Sequence, residues 1–298
     1  MYHYQLFGLN IASDLELNAI SANFYTPDVT FRLGPCPAFT DTPKYDYEDF
    51  KLSTNQMFMH IDDVADFFAH DGNEIIVDMT PGVSEEVVRM YLMGSGMGAI
   101  LFQRGIIPIH GSCVCKDGKA MIITGDSGAG KSTMAARFLR EGWKLLTDDV
   151  TPLVFKDGIY YAQSTYPGQK LWQDCIDRND AEERVVGNII REDDGREKYQ
   201  LNAGRYFVYD TIPIRAAVML TRGTDKLYLK EVTGFAKTDL LMRNVYRRFY
   251  VIDKEGQTEL LRTCFGLGKQ IKALLAERPD GENTEDQIYE YILKQLEE

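Results

Sequence analysis

The sequence predicts an α/β fold that carries a phosphate-binding loop, preceded by a β-rich N-terminal module. Three observations support this prediction: a glycine-rich loop lies between an apolar strand and a helix, another strand follows that helix at once, and short strands separated by turns fill the N-terminal part of the chain. Strands that alternate with helices build parallel sheets. We therefore expect a β-rich module over residues 1–83 and an α/β domain over residues 84–298.

The glycine-rich loop matches the pattern G-x-x-x-x-G-K-S. It reads Gly125-Asp126-Ser127-Gly128-Ala129-Gly130-Lys131-Ser132. In this pattern backbone N–H groups surround nucleotide phosphates, the lysine reaches the β- and γ-phosphates, and the hydroxyl binds Mg²⁺. The apolar run 120–124 precedes the loop, and a helix that starts at Thr133 ends near Gly142. Because a helix N-terminus attracts anions, we expect residues 125–133 to bind the phosphates of ATP; the alternative is a glycine-rich turn without a ligand.

The next strand, residues 143–147, ends in an acidic pair. Asp148 and Asp149 follow Ser132 closely in the sequence. In a right-handed crossover the two strands run parallel, so both carboxylates should lie at the same sheet edge as the loop. One aspartate can hold Mg²⁺ while the other accepts the proton of an attacking alcohol. The alternative is an acidic turn that only ends the strand.

His110 is the third candidate residue. It ends the apolar run 106–109, and with residues 112–115 it predicts a strand that turns through residues 116–119 into the strand before the loop. That hairpin would place the imidazole level with the acidic pair. A lone histidine on an apolar strand is more often structural, so the residue type leaves both interpretations open.

Together these motifs resemble the catalytic domain of bacterial HPr kinase/phosphorylase. The resemblance rests on residues 109–111, 122–132 and 140–149, whose spacing agrees without a gap. It implies that His110, Lys131 and Asp149 are active-site residues. In that family the second aspartate accepts the proton of the substrate serine, and the loop serine holds Mg²⁺.

A later signature of that family, an acidic residue in an Ile-Arg-Gly-Leu-Gly context, is missing from this sequence. Residues 166–174 stand at about that distance. We expect Asp174 to supply the acidic Mg²⁺ ligand instead, beside Ser132 and Asp148. Asp148 and His110 are also expected to support catalysis electrostatically.

Other segments resemble a smaller branch, the HPr kinase-like proteins of lasso-peptide biosynthesis, which phosphorylate the C-terminal serine of a precursor peptide. These segments are residues 4–13, 103–105 and 166–172. The resemblance implies an ATP- and Mg²⁺-dependent kinase whose partner is a peptide or small protein with an acceptor serine. Two alternatives stay open: a kinase for a small metabolite such as free serine, and a non-catalytic nucleotide-sensing module.

Composition restricts the other classes of partner. The chain has 298 residues, a net charge of −12 and five cysteines. An acidic surface disfavours nucleic acids and anionic membranes. An odd number of cysteines without framework spacing is typical of a reducing compartment. No signal peptide is recognisable, and the most apolar segment, residues 90–102, is shorter than the ~20 residues that span a bilayer. We therefore expect a cytoplasmic protein; self-association stays open.

Four further expectations concern local structure. Cys113 and Cys115 should be buried on one strand face, and the glycines of residues 94–98 should allow close helix packing. The charged segment 174–205 is interpreted as a solvated loop or as a lid over the nucleotide. Two or three helices should end the chain, the last opening with a capping box at residues 284–287 and burying every fourth residue. Three arginines could balance phosphate charge, although none stands out: Arg104, Arg205 and Arg215.

Overall fold

The computed structural model describes residues 1–178, 181–191 and 197–297 and has a mixed α/β architecture. The strands among these residues are β1 (Tyr2–Leu6), β2 (Leu9–Ser13), β3 (Val29–Leu33), β4 (Tyr45–Asp46), β5 (Phe50–Leu52), β6 (Gln56–Ile61), β7 (Ala65–His70), β8 (Glu74–Met79), β9 (Pro108–Lys116), β10 (Lys119–Gly125), β11 (Lys144–Thr147), β12 (Val150–Lys156), β13 (Ile159–Gln163), β14 (Gly168–Trp172), β15 (Val185–Arg191), β16 (Glu197–Asn202), β17 (Thr211–Arg222), β18 (Tyr228–Val232) and β19 (Lys272–Arg278). The α-helices are α1 (Glu85–Tyr91), α2 (Met97–Gln103), α3 (Lys131–Arg140), α4 (Gln173–Arg178), α5 (Ala236–Arg243), α6 (Lys254–Gln270) and α7 (Glu285–Glu297). No described helix combines the length and the apolar character needed to cross a membrane.

The chain divides into two compact units. The first comprises Met1–Pro108 and Tyr246–Leu260, and the second comprises Ile109–Val245 and Leu261–Glu298. Helices α1 and α2 thus belong to the same unit as the N-terminal strands. The domain boundary expected at residue 83 stays a prediction.

The first unit contains an eight-stranded sheet in the order β1-β2-β3-β8-β7-β6-β5-β4. Alternating side chains bury one face: Met57 and Met59 on β6 are buried, whereas Phe58 between them is half-buried and His60 after them is exposed. The sequence predicted strands at residues 29–33, 56–61 and 74–77, and β3, β6 and β8 confirm them.

Close packing of the glycine-containing helical segment is confirmed as well. Ser84 caps α1 by accepting from the Glu86 N–H, and a π-helical turn, Leu92–Gly96, joins α1 to α2. A Cβ atom on Gly98 would lie 3.0 Å from the ring of Tyr246. Only a residue without a side chain fits that contact without displacing the tyrosine.

The second unit is built around a sheet in the order β10-β9-β12-β13-β17-β19-β18, with β11 paired to β9. Strand β9 runs antiparallel to both β10 and β11. Strands β10 and β11 therefore run parallel to each other, as predicted, although β9 lies between them. Strand β17 is parallel to β10 and to β19. The ends of β10, β11, β17 and β19 and the beginning of β9 consequently meet at one edge.

Helices α3 and α7 cover one face of this sheet. The α3 residues Met134, Ala135 and Phe138 share an apolar core with the predicted stripe of α7, which consists of Ile288, Ile292 and Leu296. The predicted capping box of α7 is not formed. The Thr284 hydroxyl has no hydrogen-bond partner among the described residues, and the side chain of Asn283 accepts from the Glu285 N–H instead.

The segment 174–205 is not the loop that its charge suggested. Its described part forms α4, β15 and β16, and β16 pairs with β14 and β15 in a three-stranded sheet. Leu171, Cys175 and Leu201 form a small apolar core there, which offsets the high charge of the segment. Residues 179–180 and 192–196 of this segment lie outside the described residues.

Strand β19 was not predicted. Its run Ala273-Leu274-Leu275-Ala276 consists of good helix formers, and it lies between two helices. In the structure it pairs parallel with β17 over seven register positions, from Lys272 to Arg278. Pairing with a distant strand therefore overrides local propensity here.

None of the five cysteines, all of which the structure describes, forms a disulfide, and Cys113, Cys115, Cys175 and Cys264 are buried. This confirms the burial predicted for Cys113 and Cys115. Burial raises the pKa of Cys115 to about 11, so its thiol is poorly ionised and unreactive at neutral pH.

The packing of the core in the second unit predicts the effect of one substitution on stability. Phe138 is fully buried, and its ring centroid lies 4.9 Å from those of Trp143 and Tyr289. Phe138→Ala should lower the free energy of unfolding by about 3–5 kcal/mol, because it removes aromatic contacts and leaves a cavity. Both tryptophans, Trp143 and Trp172, lie in the second unit, so their fluorescence during denaturant unfolding reports on this unit.

The matched control is Phe235→Ala, since Phe235 is exposed in the same unit. It should change the free energy of unfolding by less than about 0.5 kcal/mol. Equal losses in the two variants would contradict the assignment of Phe138 to the core.

Candidate active site

The glycine-rich loop leaves β10 at a point where the backbone is tightly confined. Gly125 has φ = +131°, and it pairs with Leu220 on β17. A Cβ atom at this position would overlap the carbonyl oxygen of Leu220. Gly130, at φ = +99°, adopts the left-handed conformation that turns the chain into α3. Glycine is therefore required at both ends of the loop.

Hydrogen-bond donors converge inside this loop. The Lys131 Nζ donates to the carbonyl oxygens of Gly125 and Asp126, each at 2.9 Å. No side chain caps the N-terminus of α3 in the part of the chain that the structure describes. The first N–H groups of the helix and the lysine ammonium therefore create a positive environment of the kind that attracts anions.

The two aspartates differ in environment. Asp148 is buried, with 7% of its surface exposed, and its carboxylate accepts hydrogen bonds from within the protein. The Ser112 hydroxyl lies 3.2 Å from Oδ1, and the backbone N–H of Lys170 donates to Oδ2 at 2.8 Å. Asp148 thus fastens β14 and β9 to the end of β11. Its predicted roles in catalysis and metal binding stay predictions.

Asp149 lies beside Asp148 but is more open, with 34% of its side chain exposed. Its Oδ1 is 3.5 Å from the Nδ1 of His110, and its Oδ2 is 3.4 Å from the Nζ of Lys170. The backbone N–H of His110 donates to the Asn244 carbonyl, which fixes the imidazole at this edge. The structure therefore brings His110 and Asp149 together, at the edge expected from the hairpin. Their catalytic roles stay predictions.

The loop and the aspartates line one cavity of about 510 Å³, within the ~300–1,000 Å³ typical of small-ligand sites. Ser132 and Asp174, two of the predicted metal ligands, also line it. Asp174 is largely exposed and pairs with Arg178 at 2.7 Å. Among the described residues no three acidic, histidine or cysteine side chains form a metal-binding group.

Four basic residues that the sequence analysis did not select also line this cavity: Lys170, Arg178, Arg222 and Arg278. They come from β14 and α4, which are adjacent in the sequence, and from β17 and β19, which are far from them and from each other. For Lys170 a signal existed, because it lies in the segment 166–172 that resembles the lasso-peptide branch. Arg222 and Arg278 could not be found without knowing that β17 and β19 are neighbours.

The three arginines considered from the sequence have other partners. Arg104 donates to the Gly72 carbonyl, and Arg205 pairs with Glu183 at 2.6 Å. Arg215 donates to the Leu296 carbonyl. None of the three lines the cavity that contains the loop.

Comparisons with known proteins give a match to a family model and matches to solved structures. A family model described as "SynChlorMet cassette protein ScmC" matches residues 76–186. Among solved structures, the Hpr(Ser) kinase/phosphatase from Coxiella burnetii matches with 13% sequence identity and a TM-score of 0.32, covering 63% of this chain and 89% of that chain. No curated protein matches the sequence. The family model spans less than half of the chain and the structural likeness is weak, so neither match assigns an activity to it.

The environments of the two aspartates generate a prediction about stability. Asp148→Asn removes the buried charge that accepts from the Lys170 N–H and replaces one accepting oxygen by an NH₂ group, which cannot accept a hydrogen bond. A buried donor that loses its acceptor costs about 1–3 kcal/mol. Asp149→Asn, which weakens a half-exposed ion pair, should cost less than about 1 kcal/mol.

Denaturant unfolding followed by tryptophan fluorescence measures both losses, and each variant is the control of the other. A larger loss for Asp149→Asn than for Asp148→Asn would show that the buried hydrogen bonds of Asp148 do not hold this edge together.

Proposed function

We propose that this protein is an ATP-dependent kinase that phosphorylates a serine hydroxyl on a peptide or small protein. The observation that carries the proposal is the presence of a carboxylate, Asp149, in the same cavity as a phosphate-binding loop. A nucleotide-sensing module would need the loop and would use the acidic pair only to bind metal, not to accept the proton of an acceptor hydroxyl. A kinase needs both groups.

Binding of ATP follows from the loop. The N–H groups of residues 126–132 would surround the phosphates, and Lys131 would exchange its bonds to the Gly125 and Asp126 carbonyls for phosphate oxygens. Each exchanged bond would then join two oppositely charged groups, which attract more strongly than an ammonium and a neutral carbonyl.

Transfer requires that the serine hydroxyl lose its proton as it attacks. In the proposed step the serine oxygen forms a bond to the γ-phosphorus, and the bond between that phosphorus and the bridging oxygen breaks. The electron pair of the broken bond stays on the β-phosphate of ADP. Asp149 accepts the hydroxyl proton, while Lys170 and His110 hold the carboxylate from both sides.

The residues present are compatible with Mg²⁺. This ion usually takes one or two protein oxygens and completes its shell with phosphates and water, so a three-residue cluster is not required. Ser132 at the start of α3 is the first candidate ligand, and Asp148 and Asp174 are the acidic candidates. When bound, Mg²⁺ would neutralise part of the triphosphate charge.

The proposal also specifies the acceptor, a peptide or small protein that carries the serine. It is supported by the resemblance of residues 4–13, 103–105 and 166–172 to the lasso-peptide precursor kinases, whose acceptor is a C-terminal serine. A peptide that ends in serine, the same peptide ending in alanine, and free serine would be compared as acceptors by mass spectrometry and ADP release. Turnover with free serine alone would favour the metabolite kinase, and nucleotide binding without any acceptor-dependent ADP release would favour the sensor.

Removal of the loop ammonium tests nucleotide binding. Lys131→Ala should keep the fold, because the bonds that the ammonium makes to the Gly125 and Asp126 carbonyls lie at the surface loop and not in the apolar core. The Kd of ATP should rise by at least about tenfold, since each charge-assisted bond is worth ~1.5–3 kcal/mol. Calorimetric titration measures the affinity, and Lys144→Ala on the exposed start of β11 is the matched control. Unchanged affinity and turnover in Lys131→Ala would remove the basis of the proposal.

Removal of the base tests the chemistry. Asp149→Asn keeps the shape of the side chain but cannot accept the proton, so ATP should still bind while kcat falls by about 10²–10⁴. A loose transition state, in which early proton removal matters less, would place the loss toward the lower value. Asp148→Asn should instead show a defect that changes with Mg²⁺ concentration if this residue organises the ion.

The measurement is kcat and the Kd of ATP for both variants over a series of Mg²⁺ concentrations. If Asp149→Asn loses less than a few-fold in kcat while Asp148→Asn is inactive at every concentration, the two roles are reversed.

A further inference from the structure

Strands β17 and β19 place two arginines side by side above the phosphate-binding loop. Arg222 and Arg278 occupy the same register position on these parallel strands. Two residues earlier, Leu220 and Ala276 belong to the apolar core that β17 and β19 share with α3. Because side chains alternate along a strand, Arg222 and Arg278 project from the same sheet face as these core residues. They therefore lie at the end of that face where α3 begins.

Arg222 has partners that fix its guanidinium against the loop. Its Nε donates to Asp280 at 2.7 Å, and its Nη1 donates to the Gly128 carbonyl at 3.2 Å. One carboxylate thus compensates its charge, while the loop accepts a second bond. This residue holds the loop in position.

Arg278 lies against the same loop but makes no such bonds. Its Nη1 is 3.0 Å from the position that a Cβ atom on Gly130 would take. Its Nε is buried and has no hydrogen-bond partner, and its guanidinium forms no salt bridge within the described residues. A buried N–H group without an acceptor is costly unless a ligand supplies one.

Two other arginines lie near Arg278 and make its surroundings more positive. Its pKa is lowered by burial and then by the neighbouring Arg222 and Arg178, whereas Asp280 and Glu285 oppose this change. Those two carboxylates are engaged elsewhere: Asp280 pairs with Arg222, and Glu285 pairs with Arg140 at 3.4 Å and with Arg178 at 3.9 Å. Among the residues that the structure describes, the guanidinium of Arg278 is thus the member of this cluster without a direct carboxylate partner.

We infer that Arg278 binds the phosphates of the nucleotide held in the loop. The inference rests on the proposed function and adds to it a positively charged side chain from β19, far from the loop in the sequence. Arginine suits this role because its planar fork can bond two phosphate oxygens at once and stays charged when desolvated. Gly130 makes the contact possible, because any side chain there would displace the guanidinium.

The experiment measures the Kd of ATP and of ADP by calorimetry at low and at high KCl. The variants are Arg278→Ala, Arg278→Lys and Arg278→Gln, and the control is Arg243→Ala, whose side chain pairs with Asp239 on α5 outside the cavity. Arg278→Ala should raise both Kd values by about 10- to 100-fold at low salt. Arg278→Lys should recover part of this loss because it keeps the charge, while Arg278→Gln should not. The salt dependence of Kd should weaken in the two uncharged variants.

Failure of the inference differs from failure of the proposed function. Wild-type protein that binds neither nucleotide overturns both. Normal wild-type binding with an Arg278→Ala affinity within about twofold of it overturns the inference alone. The same holds if all three Arg278 variants lose affinity equally with an unchanged salt dependence, because the effect would then be structural rather than electrostatic. If Arg278→Ala does not fold, the comparison of Arg278→Lys with Arg278→Gln decides the question in the same way.

Discussion

The site depends on the direction of one strand. Strand β9 lies between β10 and β11 and runs antiparallel to both, so its first residues meet the last residues of its two neighbours. This arrangement brings His110 to the end of β11, where its imidazole contacts Asp149. If β9 ran the other way, the histidine would lie at the opposite edge of the sheet. The loop and Asp149 would then remain together without the imidazole.

Lys170 connects the remaining parts of this edge. Its backbone N–H binds the buried Asp148 and its ammonium pairs with Asp149. One residue on β14 therefore contacts both members of the acidic pair through different groups. The two adjacent carboxylates can therefore have different roles. The buried Asp148 holds strands together, whereas Asp149 is more open to the cavity.

Charge is distributed unevenly over the chain. The net charge is −12, yet guanidinium and ammonium groups from four separate elements line the cavity beside the loop. Carboxylates line the same cavity and compensate part of this charge. In the proposed function, the phosphates of the nucleotide would pair with the cations nearest the loop.

Much of the second unit could be predicted from sequence because the signals are local. The strand, loop and helix of residues 119–140, the hairpin before them and the acidic strand after them were each expected from apolar periodicity and turn residues, and the structure contains them. The apolar stripe of α7 was expected for the same reason. The charged segment 174–205 and strand β19 were not anticipated, since pairing with β14 and β17 decides their conformation and no local pattern reports it.

The sequence by itself determined the loop, the acidic pair and the order in which they follow each other. Only the tertiary structure decided which cations surround them. Lys170, Arg222 and Arg278 lie 21 to 129 residues from Asp149, and their proximity to the loop follows from strand neighbours and strand direction. The spacing of residues within a motif is enough to predict side chains that one short segment of the chain brings together. A cluster assembled from several strand ends is specified by sheet order, because pairing between distant strands, and not separation along the chain, sets which side chains meet.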